Sequence, residues 1–328
     1  MAPPESTSPD VSVVIATHGR AALVPAAVMS ILDQDFDDFE LLVVDDGSTD
    51  RTPEVLADLA ARDPRIRVLR NERPLGPGAA RNRGIDAARG RFVAILDDDD
   101  RALPHRLRAQ RAVLLDRPEV GLVYSAVRWV DGDGVPFGEW PAVAVQGEFP
   151  ADPPSAFRLL YLDSNKITNT SLMVRRRALG ELRYAEDLRV GEDWLLFLKL
   201  AARGVPTVAL AEPLTLMRRD PQHVSLMAAK ERAFADQRRA LRQVRTWLDA
   251  EGIDRFGDLH RRAWSNQLCR EARFWWGIRG LGLVTRALAT SPTSSTAWST
   301  AGWLLGRVGD KLARLPARLL GGRGGGGP

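Results

Sequence analysis

Four consecutive aspartates, Asp97 to Asp100, follow an apolar run in the stretch FVAILDDDD. Two unit charges about 4 Å apart interact by about 1 kcal/mol in water and about 4 kcal/mol near a protein surface, so these carboxylates must be solvated, protonated or neutralised by a cation. In an extended chain Asp97 and Asp99 share one face, an arrangement that suits the hard divalent cations Mg²⁺ and Mn²⁺. The structural alternative is an acidic turn in which Asp100 caps the next helix.

A second acidic pair, Asp45 and Asp46, lies in VVDDGSTD, where Gly47 permits a tight exit from a strand. A carboxylate at this place can accept hydrogen bonds from a ribose hydroxyl or a base N–H. The alternative is an ordinary strand-to-helix turn in which Asp and Ser cap the following helix.

The stretch GPGAARNRG has Arg81 where the third glycine of a dinucleotide fingerprint would stand. It also follows the third predicted strand rather than the first, which argues against an NAD site. Arg81 can instead face the acid run or a diphosphate group, or lie on a solvated helix face.

Glu192 and Asp193 open the helical stretch GEDWLLFLKLAARG. A carboxylate in a cleft can act as the general base that takes a proton from an acceptor hydroxyl. The alternative is a pair of acids in the first turn that the helix dipole stabilises. Further along, His223 follows Arg218 and Arg219 in a predicted loop, where an imidazole can join a metal shell and arginine matches a diphosphate.

These residues need a framework, and the chain from Val11 to about Leu115 alternates strand and helix patterns. Four strand segments are predicted, namely VSVVIAT, FELLVVDDGS, RIRVLRN and RFVAILDDDD, with helical segments between them. The alternation and the continuous apolar runs predict a parallel sheet with helices on both faces. Such sheets bind ligands at the carboxyl ends of their strands, so the polar residues after the first, second and fourth strands should converge.

The remainder of the chain predicts a further helix and strand, a Gly/Pro-rich loop to about Pro154, the strand TSLMVRR, the Glu192 helix and short strands in VPTVALAEPLTLMRRD. From about Ala228 the pattern is helical. We therefore expect a disordered tail over 1–10, a catalytic domain over 11–227, a helical, basic, Trp-rich region over 228–320 and a flexible Gly-rich tail over 321–328.

Composition indicates a globular protein with a sizeable core, because 45% of its 328 residues are hydrophobic and 27% are charged. The single cysteine, Cys269, excludes a disulfide within the chain and a cysteine-based zinc site. The first ten residues lack the apolar core of a signal peptide, and no apolar run approaches the ~20 residues of a spanning helix. These features predict a cytoplasmic protein.

Five ordered stretches between about Val11 and Ser225 resemble the family 2 glycosyltransferases. They are VSVVIATHGR, FELLVVDDGSTD, GAARNRGIDAARGRFVAILDDDD, NTSLMVRRRAL and GEDWLLFLKLAARG. The resemblance implies the GT-A fold, an α/β architecture with a Rossmann-like, mostly parallel sheet. It also implies a nucleotide-diphosphate sugar donor (a UDP-sugar above all), a divalent cation on a D-x-D motif, a glycan or lipid-linked acceptor of cell-envelope polysaccharide synthesis, and transfer with inversion.

The resemblance also assigns roles by position. It implies Thr17, Arg20 and Asp46 for the nucleotide sugar, Asp97 and Asp99 for the cation, and Asp193 for the catalytic base. The residues themselves add Arg81, Asp97 and Asp98 as candidates for the nucleotide sugar and His223 as a candidate for the cation. A register shift by one residue would give the cation to Asp98 and Asp100 instead. Two rival interpretations are a catalytically silent binding module of the same shape and a sugar-nucleotidyltransferase. The latter needs a Gly-rich triphosphate loop after the first strand, which ATHGRAAL lacks.

The C-terminal region carries an apolar stripe and a basic stripe at helical spacing from about Thr296. The apolar positions include Ala297, Leu304, Leu305 and Leu312, and the basic ones are Arg307, Lys311, Arg314 and Arg318. This pattern predicts an amphipathic helix that contacts an anionic membrane at the inner face of the plasma membrane. The alternative is that both stripes pack on the catalytic domain. No nucleic-acid reader motif is present, so no nucleic-acid partner is expected.

Overall fold

The computed structural model describes residues 8–140, 150, 152–163, 165–219, 230–274 and 278–313. The chain divides into two compact units, Met1–Ile253 and Asp254–Pro328. The first unit contains the sheet and also a long helix that follows the expected end of the catalytic domain at residue 227. The domain limits predicted from the sequence stay a prediction.

The described strands of the first unit form one nine-stranded sheet. They are β1 (Val11–Thr17), β2 (Phe39–Asp45), β3 (Ile66–Arg70), β4 (Phe92–Asp97), β5 (Arg101–Ala102), β6 (Leu122–Val130), β7 (Pro136–Trp140), β8 (Leu172–Arg175) and β9 (Thr207–Arg218). Their order is β3-β2-β1-β4-β8-β6-β9-β5, and β7 pairs with β6. Strands β3, β2, β1 and β4 are parallel, whereas β8 is antiparallel to both of its neighbours, so the sheet is parallel in one half and mixed in the other.

Eight helices of the first unit are described. They are α1 (Val24–Leu32), α2 (Thr52–Arg62), α3 (Pro77–Ala87), α4 (Arg106–Asp116), α5 (Pro153–Asp163), α6 (Arg176–Leu179), α7 (Glu192–Ala202) and α8 (Lys230–Ala250). Helices α1, α2 and α3 each have proline in the first turn, where its fixed φ and missing N–H cost nothing. Gly84 lets α3 lie directly on the sheet, since a Cβ there would stand 2.4 Å from Val14 Cγ1.

The α/β fold class and the strand–helix alternation of the first half are confirmed. The Gly/Pro-rich stretch expected to be a loop up to about Pro154 contains a strand, β7, and α5 begins at its expected end. The short strands expected after Gly204 form one strand, β9, whose register against β6 shifts near Ala126. These differences share a cause, since β7 and β9 are fixed by pairing with β6 rather than by their own residue pattern.

The second unit contains α9 (Gly257–Phe274), α10 (Ile278–Thr290) and α11 (Ser295–Ala313). Its small cores bury Cys269, and they also bury Ala297 and Leu304 from the apolar stripe of α11. Three large apolar residues of α11 are exposed instead, Trp298 at 61%, Leu305 at 60% and Trp303 at 40%. Among the described residues, no helix combines the length and apolar character needed to cross a membrane.

Candidate active site

The carboxyl ends of three parallel strands meet at one edge of the sheet. Thr17 at the end of β1 lies opposite Asp45 of β2, and Ala16 lies opposite Asp97 of β4. Neighbouring strands lie about 4.8 Å apart, so the three ends are within reach of one bound ligand. The structure therefore brings together the three polar loops that the sequence predicted to converge.

The acid run does not continue β4 as an extended chain. Strand β4 ends at Asp97, and the backbone N–H of Asp100 donates to the carbonyl oxygen of Asp97 at 3.1 Å, which closes a turn. Asp97 and Asp99 are therefore not alternate residues of one strand. The prediction that they share a face because the chain is extended is wrong. The turn instead gives each of the four carboxylates its own surroundings.

Asp97 is paired with a buried arginine on α3. Arg81 Nη2 lies 2.8 Å from Asp97 Oδ1, and Arg81 Nη1 lies 2.8 Å from Oε1 of Glu192 at the start of α7. The guanidinium also lies 5.6 Å from the ring centroid of Tyr184. Burial acts to lower the pKa of Arg81, but the charges of Asp97 and Glu192 raise that pKa overall. Arg81 is thus a permanent cation that joins the acid run to α7.

Asp98 and Asp99 face the loop after β1. Asp99 Oδ2 lies 3.7 Å from Nη1 of Arg20, and both side chains are partly exposed. Burial raises the pKa of Asp98 to about 6, and the charges of Asp99 and Asp97 add to this, while Thr17 and Arg20 oppose it. The sequence-predicted residues Thr17, Arg20, Asp98 and Asp99 therefore form one cluster.

Asp100 does not cap the next helix, contrary to the structural alternative raised from the sequence. Its carboxylate is buried and accepts a hydrogen bond from the backbone N–H of Arg218 on β9, at 2.8 Å. Helix α4 begins six residues later, at Arg106, with His105 as its N-cap residue. Burial and the charges of Asp97 and Asp99 raise the pKa of Asp100 well above its usual value.

Asp193 lies beside Glu192 at the start of α7. Its Oδ2 accepts a hydrogen bond from Nδ2 of Asn165 at 2.8 Å, and its Oδ1 accepts one from the backbone N–H of Trp194 at 2.6 Å. Burial raises the pKa of Asp193 to about 7, with the Glu192 charge as the next contribution. A carboxyl group that titrates near neutrality can accept a proton during a reaction.

Asp46 has a structural part of its own in this site. Its Oδ1 accepts hydrogen bonds from Asn71 Nδ2 at 2.7 Å and from the backbone N–H of Leu75 at 2.9 Å. Its Oδ2 accepts one from the backbone N–H of Gly76 at 2.8 Å. Asp46 thereby fixes the loop that leads from β3 to Arg81, and its assignment to the nucleotide stays a prediction.

Several residues of the site were missed in the sequence. Asn169 Nδ2 lies 3.4 Å from Asp97 Oδ1, Thr170 Oγ1 accepts the backbone N–H of Asp97 at 3.1 Å, and the Tyr184 hydroxyl donates to Asn169 Oδ1 at 2.7 Å. Asn165, which donates to the carboxylate of Asp193, is the fourth residue of the site that was missed. The polar residues at the start of the predicted strand TSLMVRR and just before it were a usable signal for Thr170 and Asn169, whereas nothing local indicated Asn165 or Tyr184.

The acid run fits a divalent cation that is bound jointly with a phosphate group. The described residues contain no group of three or more His, Cys, Asp or Glu side chains arranged for a metal ion. Mg²⁺ needs only one or two carboxylates when substrate phosphates supply further oxygens, and the carboxylates of Asp97 and Asp99 are 28% and 22% exposed. Burial is the main cause of the raised pKa values of Asp98 and Asp100, and the charges of Asp97 and Asp99 add to it, so a cation would relieve only that second part. His223 lies outside the described residues.

A groove of about 890 Å³ lies at the other end of the same strands, lined by Asp10, Arg91, Arg175 and several further arginines. Asp10 precedes β1 and Arg91 precedes β4, so this groove is at the edge opposite the acid run. It contains none of the residues predicted for catalysis.

Comparisons with known proteins were consistent with this geometry. The sequence model of the family described as "Glycosyl transferase family 2" matches residues 12–182. The succinoglycan biosynthesis protein ExoO of Rhizobium meliloti is 36% identical over 204 residues, covering 60% of this chain and 57% of its own length. The E. coli protein named UDP-Glc:alpha-D-GlcNAc-diphosphoundecaprenol beta-1,3-glucosyltransferase is 30% identical over 125 residues, covering 38% of this chain and 48% of its own length. The match thus spans about half the length of these two relatives.

Two solved structures share the fold. TarS of S. aureus, residues 1-349 in complex with UDP-GlcNAc, has a TM-score of 0.61 at 19% identity, covering 86% of this chain and 81% of its own. The mannosyltransferase PcManGT of Pyrobaculum calidifontis, in complex with GDP-Man and Mn²⁺, has a TM-score of 0.54 at 18% identity, covering 95% and 89%.

Arg81 and Arg20 provide a test of the ion pairs. Arg81→Met should lower the free energy of unfolding by about 3 kcal/mol, because it leaves the buried Glu192 and the partly exposed Asp97 without their shared cation. Arg20→Met, the matched control at a partly exposed pair, should cost about 1 kcal/mol or less. Urea unfolding followed by circular dichroism measures both. Equal losses in the two variants would contradict the assignment of Arg81 as the central cation.

Proposed function

The chain belongs to glycosyl transferase family 2, and we propose from this premise that it transfers a sugar from a nucleotide-diphosphate donor to a hydroxyl group of a glycan or lipid-linked acceptor, with inversion. The observation that carries the proposal is the Arg81 guanidinium, which joins Asp97 of the acid run to the Glu192–Asp193 pair. Carboxylates suited to a cation and a carboxylate suited to a base thus belong to one connected site.

The donor is assigned to the edge of the sheet around the acid run. The residues proposed for it are Thr17, Arg20, Asp46, Arg81, Asp97 and Asp98. The E. coli relative is named for UDP-Glc, and the TarS complex contains UDP-GlcNAc, which supports a UDP-sugar as the donor class. The guanidinium of Arg20 lies 3.7 Å from the carboxylate of Asp99, and its positive charge is proposed to contact the donor diphosphate.

Asp97 and Asp99, with His223 as a further ligand, are proposed to hold Mn²⁺ or Mg²⁺. A cation bound there supplies positive charge to the departing diphosphate. The structure of PcManGT contains Mn²⁺ together with GDP-Man, which supports this class of cofactor. Arg81 then keeps Asp97 oriented from the protein side.

Asp193 is proposed as the general base. It would take the proton of the acceptor hydroxyl as that oxygen attacks the anomeric carbon, in a single displacement. Asn165 orients the carboxylate through Oδ2, and burial together with Glu192 brings the pKa close to neutrality. A double displacement would need a second carboxylate as nucleophile, which this scheme does not require.

We assign the protein to the cytoplasmic side of the membrane, in peripheral contact with anionic lipid through α11. Trp298 and Leu305 are seven residues apart, so they share a face of this helix, and both are exposed. An aromatic and an aliphatic side chain on one helix face suit insertion at the lipid headgroup level. The diphosphoundecaprenol acceptor in the name of the E. coli relative supports contact with a membrane substrate.

The donor site is tested by thermal shift with UDP and Mn²⁺. UDP should stabilise the protein only when the metal is present, by about 2.7 kcal/mol at a ligand concentration 100 times Kd. Asp99→Asn should remove this stabilisation, because it takes a charged oxygen from the cation. Asp133→Asn, at an exposed turn, is the control and should behave as wild type. An equal shift without metal would contradict the proposed cofactor.

The base is tested with Asp193→Asn. This variant should retain the metal-dependent shift with UDP and lose transfer by about 10²–10⁴-fold, because only proton removal is affected. The wild-type kcat/KM should fall as the pH drops below about 7, since protonated Asp193 cannot accept a proton. Exposed Glu181→Gln is the control. Joint loss of nucleotide binding and transfer would instead make Asp193 a structural residue.

Membrane contact is tested by co-sedimentation with vesicles of phosphatidylglycerol and phosphatidylcholine. Wild-type protein should pellet at low salt and be released at high salt, because charge attraction is screened. A variant with Trp298→Ser and Leu305→Ser should remain in the supernatant, whereas Met29→Ser, an exposed apolar position of α1, should not change binding. Absence of wild-type protein from the pellet at low salt would overturn the assignment.

A further inference from the structure

Three strands project beyond the edge at which the acid run lies. Ala94 of β4 pairs with Met173 of β8, and Met173 pairs with Val123 of β6, so β4 and β6 run in the same direction. Asp97 lies three residues beyond Ala94 in β4. The equivalent position in β6, three residues beyond Val123, is Ala126. Strand β6 continues to Val130, which carries it about 13 Å past the end of β4.

This projecting part is attached directly to the acid run. Arg218 of β9 pairs with Val130 of β6, and its backbone N–H donates to the buried carboxylate of Asp100. Strand β9 thus separates Asp100 from β6, which places the end of β6 about two strand spacings, or about 10 Å, from the acid run. The projecting strands therefore form a wall beside the proposed donor site.

The wall carries two aromatic side chains and a cation. Trp129 and Phe137 have ring centroids 6.1 Å apart, and the guanidinium of Arg219 lies 5.0 Å from the Trp129 ring centroid. Gly138, the partner of Trp129 across the β6–β7 pair, leaves room for the indole, since a Cβ there would stand 2.9 Å from Trp129 Cε3. Phe137 is 57% exposed.

The chemistry of this surface suits a sugar ring better than an alkyl chain. A pyranose has an apolar C–H face that packs on an aromatic ring, and hydroxyl groups around its rim that need polar partners. The surface offers both, because the exposed guanidinium of Arg219 lies beside the aromatic pair of Trp129 and Phe137. Ligand sites of this kind combine aromatic lining with a few polar groups that fix orientation.

We propose that Trp129, Phe137 and Arg219 form an acceptor subsite that binds a sugar ring of a saccharide acceptor while its terminal hydroxyl reaches the donor sugar held at the acid run. This inference rests on the proposed function and deepens it, since it names a glycan of at least two sugars as the acceptor class. Asp100 lies about 10 Å from β6, which is longer than one sugar ring. The ring bound at the subsite is therefore not the sugar that receives the transfer but the next sugar along the acceptor chain.

The test is binding of the full chain to a microarray of defined neutral and acidic oligosaccharides, with UDP and Mn²⁺ present. Wild type should bind a subset of these saccharides. Phe137→Ala should raise Kd for the bound saccharides by about 2- to 10-fold, as expected for loss of one aromatic contact. Val135→Ala, at a position of the same hairpin that is 58% exposed, is the matched control and should bind as wild type.

A second variant, outside the hairpin, shows whether Phe137→Ala weakens saccharide binding only by changing the structure of the hairpin. Arg219→Gln, at an exposed position, should weaken binding of the saccharides by a similar factor while leaving the melting temperature unchanged. Absence of saccharide binding by wild type, or equal Kd values for wild type, Phe137→Ala and Arg219→Gln, would overturn the subsite. The metal-dependent shift with UDP is recorded on the same samples. Saccharide binding without that shift would support the subsite and contradict the donor proposal.

Discussion

Negative charge is concentrated at one edge of the sheet, and the fold must balance it before any ligand arrives. The turn after β4 carries four carboxylates, and the first turn of α7 brings Glu192 and Asp193 to the same site. Arg81 is the central counter-charge, because one buried guanidinium contacts both groups. Arg20 contributes from the partly exposed side, at the longer distance of 3.7 Å from Asp99. Removing a buried cation from such a network is far more costly than removing an exposed one.

The position of Arg81 is itself determined by several weaker interactions. Gly84 lets α3 approach β1 closely, and Asp46 fixes the loop before α3 through Asn71 and the backbone of Gly76. Tyr184 packs against the guanidinium from the other side. Asp46, a residue predicted to contact a nucleotide, thus also helps to determine where the Arg81 guanidinium lies.

The sequence was informative where local pattern determines structure. Continuous apolar strands, the alternation of strand and helix patterns and polar residues at strand ends were enough to predict the parallel half of the sheet and the edge at which its loops meet. It was uninformative where partners are distant. Asp100 lies directly before a helix-like segment, yet its carboxylate binds the backbone of Arg218, more than a hundred residues later. Asn165 and Tyr184 likewise join the site through contacts that no local spacing encodes.

The two halves of the sheet differ in what they can build at this edge, and the difference follows from connectivity. Strands β1, β2 and β3 each lead through a loop into a helix, and β4 ends in the turn that carries the acid run. Strands β1, β2 and β4 end at nearly the same level. Strand β6 is followed by a hairpin strand, β7, and is supported by β9, so it can extend past that level. Under the proposed function, the edge where β1, β2 and β4 end together suits a compact donor and its cation. The strands that project beyond this edge suit an elongated acceptor. Antiparallel β8 lies between β4 and β6 and pairs with both. Two residues just before β8 contact Asp97: Thr170 accepts its backbone N–H, and Asn169 donates to its carboxylate.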